Sequence, residues 1–354
     1  MFSRDERQTI NWLTTTLSHP TRKVLNVTRM ISQHRPLKDP HMPTLFDSGF
    51  DDWDPSRLGD LTGKTYFITG ANSGVGFEAA VYLKAKNANI LVGARHEGRG
   101  RSAVARLEDR MGSGEVTFIQ IDLADTASIR SAADAVREAA DGLDAIVNNA
   151  GIMQTPQQKT ADGFEMQLGT NHLGHFLMNH LLFDLVEARS GRIVPVSSIA
   201  HKPPARIHFE DIMLTNDYSP STAYLQSKLA NLVYGIELQR RLDETGSAVA
   251  SISCHPGYSA TNLQSTGPTG IWPKIYKISN KLVAQPATRG AQPLVLAAAG
   301  TEAKAGGYYG PTGLGDARGK ISDSDVAGEY ATDTFVGTEL WKISEQLLDI
   351  EWSL

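Results

Sequence analysis

The chain has one cysteine, Cys254, among 354 residues. A lone thiol excludes an internal disulfide framework and any cysteine-clustered metal site. It suits a reducing compartment, so a cytoplasmic location is expected. Long apolar runs are missing as well: none approaches the roughly 18 residues that a membrane-spanning helix needs. There is no excess of basic charge. Lysine and arginine total 34 against 39 acids, a net charge of -5, so no attraction to nucleic acid is expected. His172, His175, His201 and His255 lack metal-ligand spacing. Each reads as an ordinary helix or loop histidine, and no metal is expected. Repeats and low-complexity tracts are lacking. Met1-Phe2-Ser3-Arg4-Asp5-Glu6 does not show the basic-then-apolar pattern of a signal peptide.

Residues 1–58 differ in character from the rest. His19 to Lys38 carries five basic residues and no acid, with Val24, Val27 and Ile31 at helical spacing. Pro36, Pro40 and Pro43 then end any helix, and Asp47, Asp51, Asp52 and Asp54 follow as an acidic cluster. This stretch reads as an N-terminal extension with a short amphipathic helix. From residue 59 to 354, short apolar runs alternate with helix-like segments. Strands are expected at Thr65–Thr69, Ile90–Gly93, Val116–Ile121, Ala145–Val147, Ile193–Val196 and Val249–Ser253. Helices are expected at Phe77–Lys86, Ala127–Ala140 and His172–Ala188. Such alternation predicts an α/β fold, a Rossmann-type doubly wound parallel sheet in a single domain.

The first strand runs into Thr69-Gly70-Ala71-Asn72-Ser73-Gly74-Val75-Gly76. Glycines spaced this way permit a tight turn and let the backbone approach a pyrophosphate, and the following helix offers free N–H groups. Gly70, Asn72, Ser73, Gly74, Val75 and Gly76 are therefore candidate cofactor contacts. The second strand ends at Ala94-Arg95, where an acid would bind the 2′-hydroxyl of NAD. Arg95 and Arg99 instead suit a 2′-phosphate, so NADP(H) is expected, with NAD(H) second. Arg101 fits better as a solvated helix residue.

Tyr224 and Lys228 stand four residues apart. On a helix they share a face. A phenol has a reference pKa of about 10, and a neighbouring cation favours the phenolate. The pair is thus a candidate for proton exchange with a substrate oxygen near neutral pH.

Taken in order, these motifs resemble the short-chain dehydrogenase/reductase family. The match runs through Thr69–Gly76, Asp122-Leu123, Asn148-Asn149-Ala150-Gly151, Asn171, Ser197-Ser198, Tyr224–Lys228 and His255-Pro256-Gly257 with Thr261. Within the family the chain is most similar to the retinol dehydrogenase and WW-domain oxidoreductase group. Thr170–Leu177, Ser197–His201, Tyr308-Tyr309 and Leu340–Ser344 carry that similarity, which covers about residues 59–348. The resemblance implies that Tyr224 is the acid/base, that Lys228 supports it and holds the nicotinamide ribose, and that Asn171 holds a relay water. It implies that Ser198 binds the substrate oxygen, as the second serine of its pair. It also implies cofactor contacts at Asp122, Leu123, Asn148, Asn149, Ala150, Gly151, Tyr224, Lys228, Pro256, Gly257 and Thr261, and a homodimer.

Ser198 and Tyr224 are 26 residues apart, where many family members have about a dozen. The insert, Lys202 to Ser221, is expected in the pocket wall. Residues 262–286 contain Ile271, Trp272, Ile275, Tyr276, Ile278 and Leu282 and read as an apolar lid. The expected substrate is a hydrophobic ketone, aldehyde or secondary alcohol of steroid, retinoid or aryl type. Two other readings stay open: an NADP(H)-binding redox sensor acting through residues 1–58, and a C=C reductase using Cys254.

Overall fold

The computed structural model describes residues 47–258, 285–313, 315–326 and 328–354. Five apolar strands form the parallel body: β1 Thr65–Thr69, β2 Asn89–Ala94, β3 Val116–Gln120, β4 Ala145–Asn148 and β5 Arg192–Pro195. With the short β6, Ala250–Ser251, the order is β3-β2-β1-β4-β5-β6 and every pairing is parallel. The order reverses between β1 and β4, which opens a crevice at the carboxyl ends of these two strands. This is the doubly wound α/β sheet expected from the sequence.

The connections are helices α1 Gly74–Lys84, α2 Glu97–Glu108, α3 Thr126–Ala139, α4 Gly174–Glu187, α5 Pro220–Thr245 and α6 Ala287–Ala299. Side chains alternate across each strand, so both faces of the sheet are apolar. Ile68, Val92 and Val147 pack with α1, α2 and α6. Phe67, Leu91 and Ile146 pack on the other face with α3, α4 and α5. The longest helix, α5, has clear ends. The Ser219 hydroxyl accepts from Thr222 N–H, Pro220 opens the first turn, and Gly246 closes the last at φ 69°.

Two parts of the described chain were not foreseen. The first is a second sheet, β7 Ser253–Cys254, β8 Tyr308–Gly313 and β9 Arg318–Asp323. It continues the main sheet, because Val196 bridges Cys254 beyond the end of β5. Gly310, Pro311 and Gly313 hide β8 in the sequence. Proline and glycine weaken a strand, and here the register shifts between Pro311 and Gly313. The second is α7, Thr334–Leu348, which lies on α5. Val336 and Leu340 pack with Leu229, Leu232 and Val233. Trp341 and Trp352 pack with Tyr234 and Phe176. As a result α5 is buried from Gln226 to Gln239 at all positions but Ile236.

Residues 47–58, read from the sequence as part of the extension, are strapped to the β8–β9 hairpin. Trp53 N–H donates to Ile321 O at 2.8 Å, and the Ser48 hydroxyl donates to Asp323 Oδ1 at 2.7 Å. Trp53 itself is fully buried. Residues 1–46 and most of the expected lid, 259–284, lie outside the described residues. Among the described residues no helix is long and apolar enough to cross a membrane.

Candidate active site

The glycine turn after β1 needs its glycines. Gly70 and Gly74 adopt φ of 68° and 60°, and a Cβ on Gly76 would stand 2.3 Å from Asn149 Nδ2. That amide donates to Thr69 O at 2.7 Å, while Ala150 N–H donates to the Thr69 hydroxyl at 2.9 Å. Two sequence-distant turns, 70–76 and 149–151, are thereby pinned together. Ser73 stands at the N-cap of α1, and among the described residues its hydroxyl caps no helix N–H.

A cleft of about 990 Å³ opens beside this turn. Gly70, Asn72, Ser73, Gly74, Val75 and Gly76 form its floor. Arg95 and Arg99 lie along it with Asp122, Leu123, Asn149, Ala150 and Gly151. Ser102 and Arg106, which no sequence motif marks, line it as well. Arg106 is seven residues after Arg99, about two turns along the same helix face, and its guanidinium stacks 3.8 Å above the Phe77 ring. Arg101 turns away and pairs with Glu97 at 2.8 Å. The volume of the cleft, the turn without room for Cβ atoms and the arginines along it fit a dinucleotide. Asn148 does not line the cleft. It ends β4 beside Pro195 with its side chain almost fully buried.

At the far end of the cleft Gly151 meets two buried polar groups. A Cβ placed there would lie 3.1 Å from Asn171 Oδ1 and 3.5 Å from Lys228 Nζ. Asn171 belongs to a π-helical turn, Gly169–Leu173, in which Gly174 N–H reaches back to Gly169 O. Such turns recur at functional sites because they re-aim side chains. The Asn171 amide accepts from Ile152 N–H at 2.8 Å and donates to Ile152 O and to the Ser227 hydroxyl, each at 2.9 Å. Lys228 Nζ donates to Val196 O at 3.1 Å. Burial pulls the Lys228 ammonium down to about 8, with the Cys254 thiol acting weakly the other way. Tyr224 is half-buried one helical turn before Lys228.

The two neighbouring serines differ. Ser197 is buried, and its hydroxyl donates to Lys228 O at 2.7 Å. Ser198 is half-buried and caps the short turn Ile199–His201, accepting from Ala200 N–H at 3.2 Å. Its carbonyl accepts from His201 Nδ1, and the same nitrogen lies 3.2 Å from the Tyr308 hydroxyl. Burial pushes His201 down to about 4. Lys202 pairs with Asp316 at the tip of the β8–β9 hairpin. The unforeseen hairpin therefore backs the serine segment.

The insert before Tyr224 is fastened from within the Tyr-x-x-x-Lys stretch. Gln226 Oε1 accepts from His208 N–H at 2.8 Å, and its Nε2 donates to Ile212 O at 2.9 Å. The Tyr218 hydroxyl donates to Thr155 O at 2.9 Å, tying the insert to the rim of the cleft. Pro256 and Gly257 are half-buried after β7. Gly257 has φ 65°, and Pro256 O accepts from Gln285 Nε2 at 2.7 Å. Thr261 lies outside the described residues.

Comparison with known proteins agrees with this arrangement. The profile of the short chain dehydrogenase family matches residues 64–269. Retinol dehydrogenase 11 of Homo sapiens is 42% identical over 204 residues, which are 57% of this chain and 63% of that protein. Retinol dehydrogenase 12 of Homo sapiens is 35% identical over 299 residues, 82% of this chain and 88% of the relative. The solved structure of an uncharacterised protein from Mycobacterium Paratuberculosis is 36% identical and superposes with a TM-score of 0.70. It covers 86% of this chain and 100% of its own. With a doubly wound sheet, a glycine turn at its switch point and these matches, the chain belongs to the short-chain dehydrogenase/reductase family, oxidoreductases that use a nicotinamide cofactor.

Proposed function

We propose that the protein is an NADP(H)-dependent oxidoreductase of hydrophobic ketones, aldehydes or secondary alcohols. One observation carries this reading. The buried Lys228 ammonium and the Asn171 amide converge on Gly151, one helical turn from Tyr224 and beside the Ser197–Ser198 segment. The cofactor supplies or accepts the hydride. Tyr224 gives its phenolic proton to the carbonyl oxygen in reduction and takes it back in oxidation. Lys228, cationic below about pH 8, favours the phenolate by its charge and holds the nicotinamide ribose. Ser198 donates to the substrate oxygen as negative charge builds there. Asn171 holds the relay that refills the Tyr224 proton.

The cofactor contacts are Gly70–Gly76, Asp122, Leu123 and Asn149–Gly151, with Pro256 and Gly257 toward the nicotinamide end. Arg95 and Arg99, with Arg106 and Ser102, take the 2′-phosphate, which favours NADP(H) over NAD(H). The substrate class is supported by the relatives, whose names give retinol as the alcohol they oxidise. Carbonyl chemistry is preferred to C=C reduction because Cys254 is fully buried and burial pushes its thiol up. A homodimer would use a surface other than α5, whose outer face α7 already covers.

The test is NADPH consumption with a panel of retinoid, steroid and aryl carbonyls. Tyr224→Phe should lower kcat by about 10²–10⁴-fold while leaving NADPH binding nearly intact. Unchanged turnover in that variant would remove the assignment.

A further inference from the structure

His175 looked like an ordinary helix histidine in the sequence. In the fold its side chain spans from Thr69, at the end of β1, to the Asn171 turn. It is 2% exposed. Its Nδ1 lies 2.9 Å from Asn171 O, and its Nε2 lies 2.9 Å from the Thr69 hydroxyl. These partners dictate where the protons are. A carbonyl only accepts, so Nδ1 carries the hydrogen. A neutral imidazole has a single N–H, so Nε2 is the acceptor, and the Thr69 hydroxyl donates to it at 2.9 Å in preference to Val147 O, which lies at 3.3 Å. Thr69 Oγ1 in turn accepts from Ala150 N–H at 2.9 Å. Burial holds His175 down to about 4, with the nearby Lys228 charge pressing the same way, so the ring is neutral at working pH.

We propose that His175 is a positioning residue: it closes a one-way hydrogen-bond chain from Ala150 N–H through Thr69 and the imidazole to Asn171 O. The chain locks the 149–151 turn, which lines the cofactor cleft, to the π-helical turn that aims Asn171 at Gly151 and Lys228. In the π turn Gly169–Leu173 the Gly174 N–H reaches back to Gly169 O, and the His175 side chain meets the Asn171 carbonyl from one turn ahead. Without the ring, the end of β1 and the Asn171 turn lose their shared anchor. The cofactor cleft and the relay then lose register with each other. This role rests on the oxidoreductase reading above.

The first measurement needs no cofactor. Long-range ¹H–¹⁵N correlation spectra of the protein should include, besides His201, whose Nδ1 also faces a carbonyl, a ring with a protonated Nδ1 and a bare Nε2 whose signal vanishes in His175→Gln. Thr69→Val should shift its Nε2 resonance. A protonated Nε2, or a charged ring at pH 7.5, would overturn the proposal. In kinetics, His175→Leu and Thr69→Val should each lower kcat roughly tenfold and raise the NADPH KM several-fold, because each leaves buried groups unpaired. The double variant should be no worse than the weaker single, since both cut one chain. His175→Gln, which keeps a donor and an acceptor, should recover most of the kcat. A His175→Leu protein that melts earlier yet keeps kcat and KM would reduce the residue to packing. If His175→Leu fails to fold, Thr69→Val and His175→Gln carry the same comparison. Wild-type protein that binds NADPH but turns over no carbonyl would sink the oxidoreductase reading. The tautomer spectra and NADPH affinities, expected several-fold weaker in Thr69→Val, would still decide the His175 chain.

Discussion

At the β1 end of the cleft the chain shapes itself with main chain. Gly70 and Gly74 turn where side chains strain, and Gly76 leaves room for the Asn149 amide. The arginines along this end are exposed and open to salt. At the Lys228 end the groups are side chains, Asn171 and Lys228 among them buried, held by backbone and side-chain partners from distant segments. Asn171 is held by Ile152 and Ser227, Lys228 by Val196 O, and the serine segment by His201 and Tyr308. The difference assigns each end its own failure. Side-chain changes at the buried end should strike kcat hard, whereas at the open end they should mostly move cofactor KM.

The strongest contrast comes from Lys228. Lys228→Met should lower kcat on the order of 10²–10⁴-fold, as loss of acid–base support does. Its pH behaviour has two opposite signs. On the proposed mechanism the ammonium, charged below about pH 8, supports Tyr224, so reduction should fall as pH rises through about 8. Stability runs the other way. The folded-state pKa lies below the unfolded value of 10.5, so burial penalises the charged form. That penalty is complete below about 8 and is relieved as pH rises from there towards 10.5. The Tm gap between wild type and Lys228→Met should therefore move in favour of wild type over the window in which activity declines. A gap that stays constant with pH would mean that Lys228 is not the titrating group.

Next in size is the pair of serines. Ser198→Ala should cost about 10²–10³ in kcat, the usual loss of one donor to a developing oxyanion. Ser197→Ala should leave kcat within a few-fold and lower the Tm, because its hydroxyl is already spent on Lys228 O. Reversed results would exchange the two roles and would place the chemistry on the buried side of the strand end.

The same contrast explains what could be read from the sequence. A backbone demand leaves few residue choices, so the 70–76 glycines are legible by spacing alone. Tyr224 and Lys228 are legible because one helical turn relates them. Side-chain supports recruited from afar carry no such mark. Thr69 and His175 are 106 residues apart, and His201 and Tyr308 are 107 apart. Asn148 was expected in the cofactor site from the family resemblance, and the fold buries it at the end of β4 beside Pro195, between two covered faces of the sheet. The strands of the parallel body came through because runs such as Thr65–Thr69 are buried on both faces and read as continuous apolar segments. The β8–β9 hairpin did not, since Pro311 and the glycines of β8 speak for a turn.

The smallest effect is expected where the cleft is most open. Arg95 and Arg99 have side chains in solvent, so the proposed hold on a 2′-phosphate would be charge-assisted but screened. Arg95→Ala or Arg99→Ala should raise the NADPH KM roughly tenfold and leave kcat and the NADH KM almost unchanged. The loss should shrink as ionic strength approaches 1 M, where the screening length is about 3 Å. Arg106 is held differently, against Phe77, so Arg106→Ala should add a drop in Tm to the KM change. If instead the NADH KM rose in parallel with that for NADPH, the arginines would be serving the diphosphate or the fold of α2. The preference for NADP(H) would then need another source, and the open end of the cleft would depend on side chains as much as the buried one does.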